Sequence, residues 1–214
     1  MIAAAFKRLS LVLSLMALSG CGALGALSDV ATVPSVYDIS APQNGPVAQG
    51  GPLARDVIVE LPTTSGVIDN DRIMIRPAAN QAEYLPDARW GDEVPVMLQT
   101  LMVRSLENTN GLRYVGRRPL AGSGDFAIVT ELVDFQAELL PGGETAVVSI
   151  RMTSRIVREL DASIIASRTF VARQAAASTA TPVLVDAFDR AAQVVLLEFA
   201  DWTMGALGRR LVVR

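Results

Sequence analysis

Three long alternating runs in the second half of the chain constrain its fold more than any other feature. They span Phe126 to Leu139, Thr145 to Leu160 and Ile164 to Arg173, separated by Pro141-Gly142-Gly143 and by Leu160-Asp161-Ala162-Ser163. Runs rich in β-branched residues and joined by such turns predict antiparallel hairpins. In the middle run Val148, Ile150, Met152 and Ile156 share one face, and Ser149, Arg151, Thr153 and Arg155 share the other. That alternation calls for a sheet with one buried and one wet face, so something apolar must cover the buried side.

Two amphipathic helices can supply the cover. In "GDEVPVMLQTLMVRSLENTNG", Val94, Met97, Leu98, Leu101 and Ser105 recur at helical spacing. Pro95 sits near the start, Asp92 and Glu93 stand at the positive end, and Gly111 marks the stop. The second helix is expected to begin at Thr181-Pro182, with threonine as N-cap and proline in the first helical position. Its stripe is Leu184, Phe188, Ala191, Val195, Phe199 and Trp202, and Gly205 and Gly208 end it. Shorter strands are expected at "DVIVELP", at Arg72 to Pro77 and at "LRYVGR". Glu83 to Trp90 is extended but carries Pro86, which suits an edge strand or an irregular segment. The predicted fold is α+β: a mostly antiparallel sheet with both helices packed on one face.

The start of the chain sets its address. Lys7 and Arg8 precede ten uncharged residues, LSLVLSLMAL, and then Ser19, Gly20 and the lone Cys21. A basic start, a short apolar stretch and small residues at a cut site describe a signal peptide. A membrane span would need about 20 apolar residues. Leu18-Ser19-Gly20-Cys21 fits the bacterial lipoprotein pattern, with cleavage between Gly20 and Cys21 and acyl chains on Cys21. Two or more chains make a stable anchor. Gly22, rather than aspartate, follows the cysteine, which favours the outer membrane, facing the periplasm. The expected organisation is a signal peptide over 1–20, a lipidated flexible tether over 21–52, one domain over 53–207 and a short loose tail over 208–214. Within the tether, "VYDI" (Val36 to Ile39) can form one short strand pinned to the domain. The tether's Gly, Pro, Asn and Gln content gives a coil reaching roughly 30 Å.

Composition narrows the chemistry. Once Lys7 and Arg8 leave with the signal, 19 basic residues become 17 against 22 acidic, a net charge of −5. That balance disfavours nucleic acid. The chain has no histidine and one cysteine, which removes the commonest general base and most transition-metal and cofactor ligand sets. Serine–lysine catalysis goes too, because Lys7 is the only lysine. No enzyme activity, cofactor or metal is expected. Asp69, Asp71, Asp87 and Asp92 lack the loop spacing and glutamate of a calcium-binding EF-hand and read as turn and cap residues. Arg151, Arg155 and Arg168 could form a basic patch, or could be the solvated face of the sheet.

Several segments together carry a resemblance: the lipobox, "VYDI", "VIVELPTTSGVIDNDRIMIRP" and "EYLPDARWGDEVPVMLQTLMVRSLENT". The chain resembles the ABC-type transport auxiliary lipoproteins. The telling part is Arg72 and Ile73, then Tyr84, the Arg89-Trp90 pair and the helix after it. Ile75 departs from the family, where many relatives carry an aromatic. The resemblance implies a non-enzymatic outer-membrane component of a system that moves lipids or other hydrophobic molecules between membranes. Its implied partner is a periplasmic MCE-domain protein of an ABC transporter. Tyr84, Arg89 and Trp90, on the irregular strand, are the candidate contact residues. A structural or assembly lipoprotein for envelope integrity, with no transport role, is the alternative, and a homo-oligomer is left open.

Overall fold

A computed structural model describes residues 33–120 and 122–213. The signal peptide and Cys21 lie outside the described residues. The long runs form β8 (Phe126–Leu139), β9 (Ala146–Arg158) and β10 (Ser163–Ala176), an antiparallel meander. Gly142 and Gly143 take positive φ in the first turn, a conformation open to glycine without a steric penalty.

The other edge of β8 carries three shorter strands in succession. β3 (Leu53–Val59) pairs with Phe126 to Ile128, β4 (Thr63–Thr64) with Glu131 and Leu132, and β5 (Arg72–Ala78) with Ala137 and Glu138. All three run parallel to β8. Beyond β3 lies β7 (Leu112–Gly116), also parallel. Beyond β5 lies antiparallel β6 (Gln81–Trp90), and then β1 (Ser35–Tyr37), parallel to β6. The sheet is therefore mixed rather than purely antiparallel: its long ladders, β8–β9 and β9–β10, are antiparallel, and the shorter ones along the other edge of β8 are parallel. Hairpins announce themselves through local turns, whereas parallel pairing depends on long connections that leave no local mark.

Helix α1 (Val94–Glu107) buries Val94, Met97, Leu98, Leu101 and Ser105, the stripe read from the sequence. Its Gln99 amide donates to the Val59 carbonyl at 2.9 Å, fixing it to β3. Helix α2 (Thr181–Ala206) crosses the buried face of the meander, with Leu184, Phe188, Ala191, Val195 and Phe199 buried. Phe170 of β10 meets Phe199 and Trp202 edge-on, at 6.0 and 5.5 Å. Thr181 is the first helical residue rather than the cap. Ala180 holds the N-cap position, and its carbonyl accepts from Val183 and Leu184. Gly205 lies inside the helix, and Gly208, at φ +82°, follows its end.

Two expected boundaries differ. Residues 34–52, read as tether, belong to the compact unit Pro34–Arg214. After β1 the chain straps over the helices. The Ser40 amide donates to Asp189 Oδ1 at 2.9 Å, and Gln193 donates to the Ser40 carbonyl at 2.6 Å. Asn108 donates to the Pro42 carbonyl at 2.8 Å, while Ile39 and Ala41 are buried in the core. The tail is not loose either, because β2 (Val47–Ala48) pairs antiparallel with β11 (Leu211–Val212). Linker-like composition hid a segment whose backbone groups find partners on the helices.

Gly111 has a different role from the expected helix stop. Asn110, at φ 53°, makes the left-handed turn after α1. A Cβ on Gly111 would lie 2.3 Å from Met204 Cε and 2.9 Å from Ala48 Cβ. The glycine lets α2, the strap and the loop after α1 close on one another.

Candidate partner-binding surface

Strand β6 is not a free edge along its whole length, since β1 covers Ala88 to Trp90. Its ladder with β5 is broken between the pairs Met74–Tyr84 and Arg72–Arg89. Pro86 falls in that bulge, where a missing N–H costs no ladder bond. Pro77 lies within β5, although proline was expected to stop that strand.

The three contact residues named from the sequence separate. Trp90 is 1 % exposed and sits against Phe135 and Phe188, with ring centroids 5.8 and 5.2 Å away. It belongs to the core and cannot meet a partner at the surface. Neighbouring strand residues face opposite sides of a sheet, so placing Trp90 inward turns Arg89 outward. Arg89 is exposed and pairs with Asp71 at 3.3 Å. Tyr84 is half-buried; its hydroxyl donates to the Val67 carbonyl at 2.9 Å, and the Arg72 guanidinium lies 4.1 Å from its ring centroid.

Sequence reading did not place Val67 at this surface. The loop carrying it is braced by its own polar residues. Asn70 donates to the Val67 carbonyl and accepts from the Arg72 amide, at 3.2 and 2.8 Å. The Asn70 carbonyl accepts from the Val94 amide at 3.0 Å, and the Asp71 carbonyl from Trp90 at 2.7 Å. The signal was the "DND" at 69–71, since Asn and Asp bond to nearby backbone in this way. Val67, Arg72, Tyr84 and Arg89 thus form a small apolar, aromatic and cationic patch held in shape by hydrogen bonds. Such a patch can bind by contact at little ordering cost.

A cleft of about 660 Å³ lies where the strap meets α1, lined by Asp38, Ser40, Gln43, Asp92, Thr100, Arg104 and Asn108, among others. Gly91 lets Asp38, one of its lining residues, lie close to the backbone after β6, because a Cβ there would lie 2.4 Å from Asp38 Oδ1. Sequence reasoning missed this cleft because one wall is the strap. Among the described residues, no group of three or more Asp, Glu, His or Cys is placed to hold a metal ion.

The arginines do not unite into one basic patch. Arg151 lies on the open face, with Nε 2.6 Å from Asp134 Oδ2. That bond, more than the plain charge attraction, raises the Arg151 pKa above its ordinary value. Arg155 shares the open face with Arg151 but is half-buried. Arg168 registers with buried Ser154 and pairs with Glu198 of α2 at 3.2 Å, on the opposite face. An irregularity between Ile164 and Ala166 sets the phase of β10.

Comparison with known proteins agrees with this architecture. The chain is 26% identical over 172 residues to an uncharacterised protein of Bradyrhizobium diazoefficiens, covering 80% of this chain and 45% of that one. The chain therefore spans less than half of that relative's length. A crystal structure of a protein from Xanthomonas campestris superposes with a TM-score of 0.71 at 23% identity, over 80% of this chain and 96% of that one. A second crystal structure, of an uncharacterised protein, gives 0.63 at 14% identity, over 80% and 99%. Both speak for the fold alone. Residues 37–200, from the first strand to deep in α2, match the family described as the ABC-type transport auxiliary lipoprotein component. The match takes in the strap, the patch and both helices, and on that ground the chain belongs to the ABC-type transport auxiliary lipoprotein family.

Proposed function

We propose that this protein is a non-enzymatic docking component, anchored through Cys21 in the outer membrane, for an ABC-type system that carries lipid or other hydrophobic molecules between membranes. Its partner in this reading is a periplasmic MCE-domain protein. Family membership supports the transport setting, and Gly22 after the acylated cysteine supports the outer-membrane address. The absence of histidine, and of any lysine beyond Lys7, supports action by contact rather than by chemistry.

The observation that carries the docking site is the braced patch of Val67, Arg72, Tyr84 and Arg89. Aromatic and arginine side chains held in fixed geometry are the commonest centres of binding energy at protein interfaces. Capture tests the proposal directly. Lipidated protein is purified from its native membranes after mild crosslinking, and the MCE-domain protein is expected with it. Arg89→Ala is expected to lower capture about tenfold, the effect of losing about 1.4 kcal/mol, with thermal unfolding nearly unchanged. Tyr84→Ala is expected to lower capture at least as much while also lowering the thermal midpoint, because its ring packs against the core. Wild-type protein that brings down no MCE-domain protein would refute the partner.

A further inference from the structure

The open face of the sheet carries a small charge network near the end of β5. Along β8, Asp134, Gln136 and Glu138 alternate onto that face, and Glu138 registers with Arg76 of β5. Gln136 is 3% exposed, and its amide nitrogen donates to Asp134 Oδ1 at 3.3 Å and to Glu138 Oε1 at 3.4 Å. Each carboxylate also holds a guanidinium of its own. Arg151 Nε lies 2.6 Å from Asp134, and Arg173 Nη2 lies 2.8 Å from Glu138. Arg76 is the third arginine of the group, and it has no carboxylate partner among the described residues. Its Nη1 donates to the Ala79 carbonyl at 3.3 Å, while its Nε–H is buried with no hydrogen-bond partner among the described residues.

A cavity of about 410 Å³ opens beside this arginine, lined by Arg76 and the three β8 residues, with Ala78, Ala79 and Leu139 as its apolar wall. That volume lies within the range of ligand sites. A buried donor left unpaired is costly, and a guanidinium takes a carboxylate through two parallel N–H bonds. One further carboxylate would give every arginine of the group its own counter-charge. Asp134 and Glu138 already line the cavity, so a doubly charged phosphate meets more repulsion there than a singly charged carboxylate. The apolar wall suits a short methylene stem.

The cavity also shares its face with the patch. Arg72, Met74 and Arg76 alternate along β5, and Met74 registers with Tyr84. Four residues of strand separate Arg76 from Arg72, about 13 Å. An interface of ordinary size buries about 800 Å² on each partner, enough to cover both.

We infer that the Arg76 cavity is a carboxylate receptor, filled by an aspartate or glutamate side chain of the protein that docks on the patch. The source of the carboxylate rests on the proposed docking; the chemistry of the cavity does not.

Two measurements separate these parts. Lipidated, isotope-labelled protein in detergent is titrated with propionate, which stands in for an acidic side chain, and separately with inorganic phosphate. The Nε–H resonance of Arg76 is expected to shift saturably with propionate and less with phosphate. That of Arg151, already bonded to Asp134, is expected to stay in place. No shift with propionate, or a larger response to phosphate, would overturn the inference. The second measurement is capture of the MCE-domain protein after crosslinking. Arg76→Met is expected to lower capture about tenfold, with thermal unfolding nearly unchanged. Should that variant unfold early, Arg76→Lys keeps stem and charge but loses the two-pronged bond, and is expected to lose capture in the same direction. Capture lowered by Arg89→Ala but untouched by both Arg76 variants would overturn the docking protein as the source and assign the cavity to a free small carboxylate. Wild-type protein that captures no MCE-domain protein would refute the docking reading, while a propionate response at Arg76 would still uphold the receptor.

Discussion

On β6, Trp90 and Tyr84 divide the work of holding the fold and offering a surface. Trp90 fills the junction of the sheet with α2, so Trp90→Ala is expected to cost about 3–5 kcal/mol and to lower the thermal midpoint sharply. Among the described residues, its Nε1 has no hydrogen-bond partner. Trp90→Phe should therefore lose only ring volume and cost much less than alanine. Denaturant unfolding of the two variants decides it, and equal losses would contradict the packing account. From sequence, a tryptophan after an arginine reads equally as surface anchor or core. What settles which side faces in is the packing of the indole against Phe135 of β8 and Phe188 of α2, residues far from it in the sequence.

Charge gives a second residue-level test. Arg113 Nε donates to Asp56 at 2.7 Å and holds the Asp56 carboxyl below its ordinary pKa, the hydrogen bond being the larger cause. Asp161 is lowered too, first by the Ser163 hydroxyl and then by its amide. A carboxyl whose folded pKa is depressed adds stability that is complete above its unfolded pKa, near 4, and is lost as pH falls through the lower folded value. Asp56→Asn should thus be less stable than wild type at pH 7, with the gap shrinking below about pH 4 as the wild-type carboxyl takes up its proton. Urea unfolding across pH measures this. A gap that stays constant from pH 7 to pH 3 would contradict it.

At the scale of elements, the strap is the main departure from sequence expectation. Gly, Pro, Asn and Gln over 40–52 are the composition of a linker. Yet Ile39 is 6% exposed, and the Ala48 and Gln49 amides donate to the Thr109 and Arg210 carbonyls at 2.8 and 3.1 Å. Ile39→Ala is expected to cost about 2 kcal/mol or more, and those two amides should exchange slowly with solvent. Exchange at unstructured-chain rates, measured by mass spectrometry of peptides spanning 39–52, would restore the tether reading. The meander and both helical stripes were legible because their order is local: period two, period 3.6 and glycine-bearing turns. Of the strands laid in turn along one edge of β8, β3 and β5 were legible as strands but not as parallel partners, and the two-residue β4 was not legible as a strand. The cleft beside α1 was lost with the strap that walls it.

For the molecule as a whole, the proposed function is action by contact, through the braced patch on one sheet flank. The central claim is that the patch around Tyr84 faces a transport partner. Site-specific photo-crosslinking in native membranes tests it most directly, with the photoreactive residue placed at Val67 or Arg89 and, as control, at Val171 on the open face of β10, which is 51% exposed. Adducts identified by mass spectrometry at 67 and 89, but not at 171, should contain an MCE-domain protein. Adducts of that protein at 171 alone, or at none of the three positions, would contradict the account.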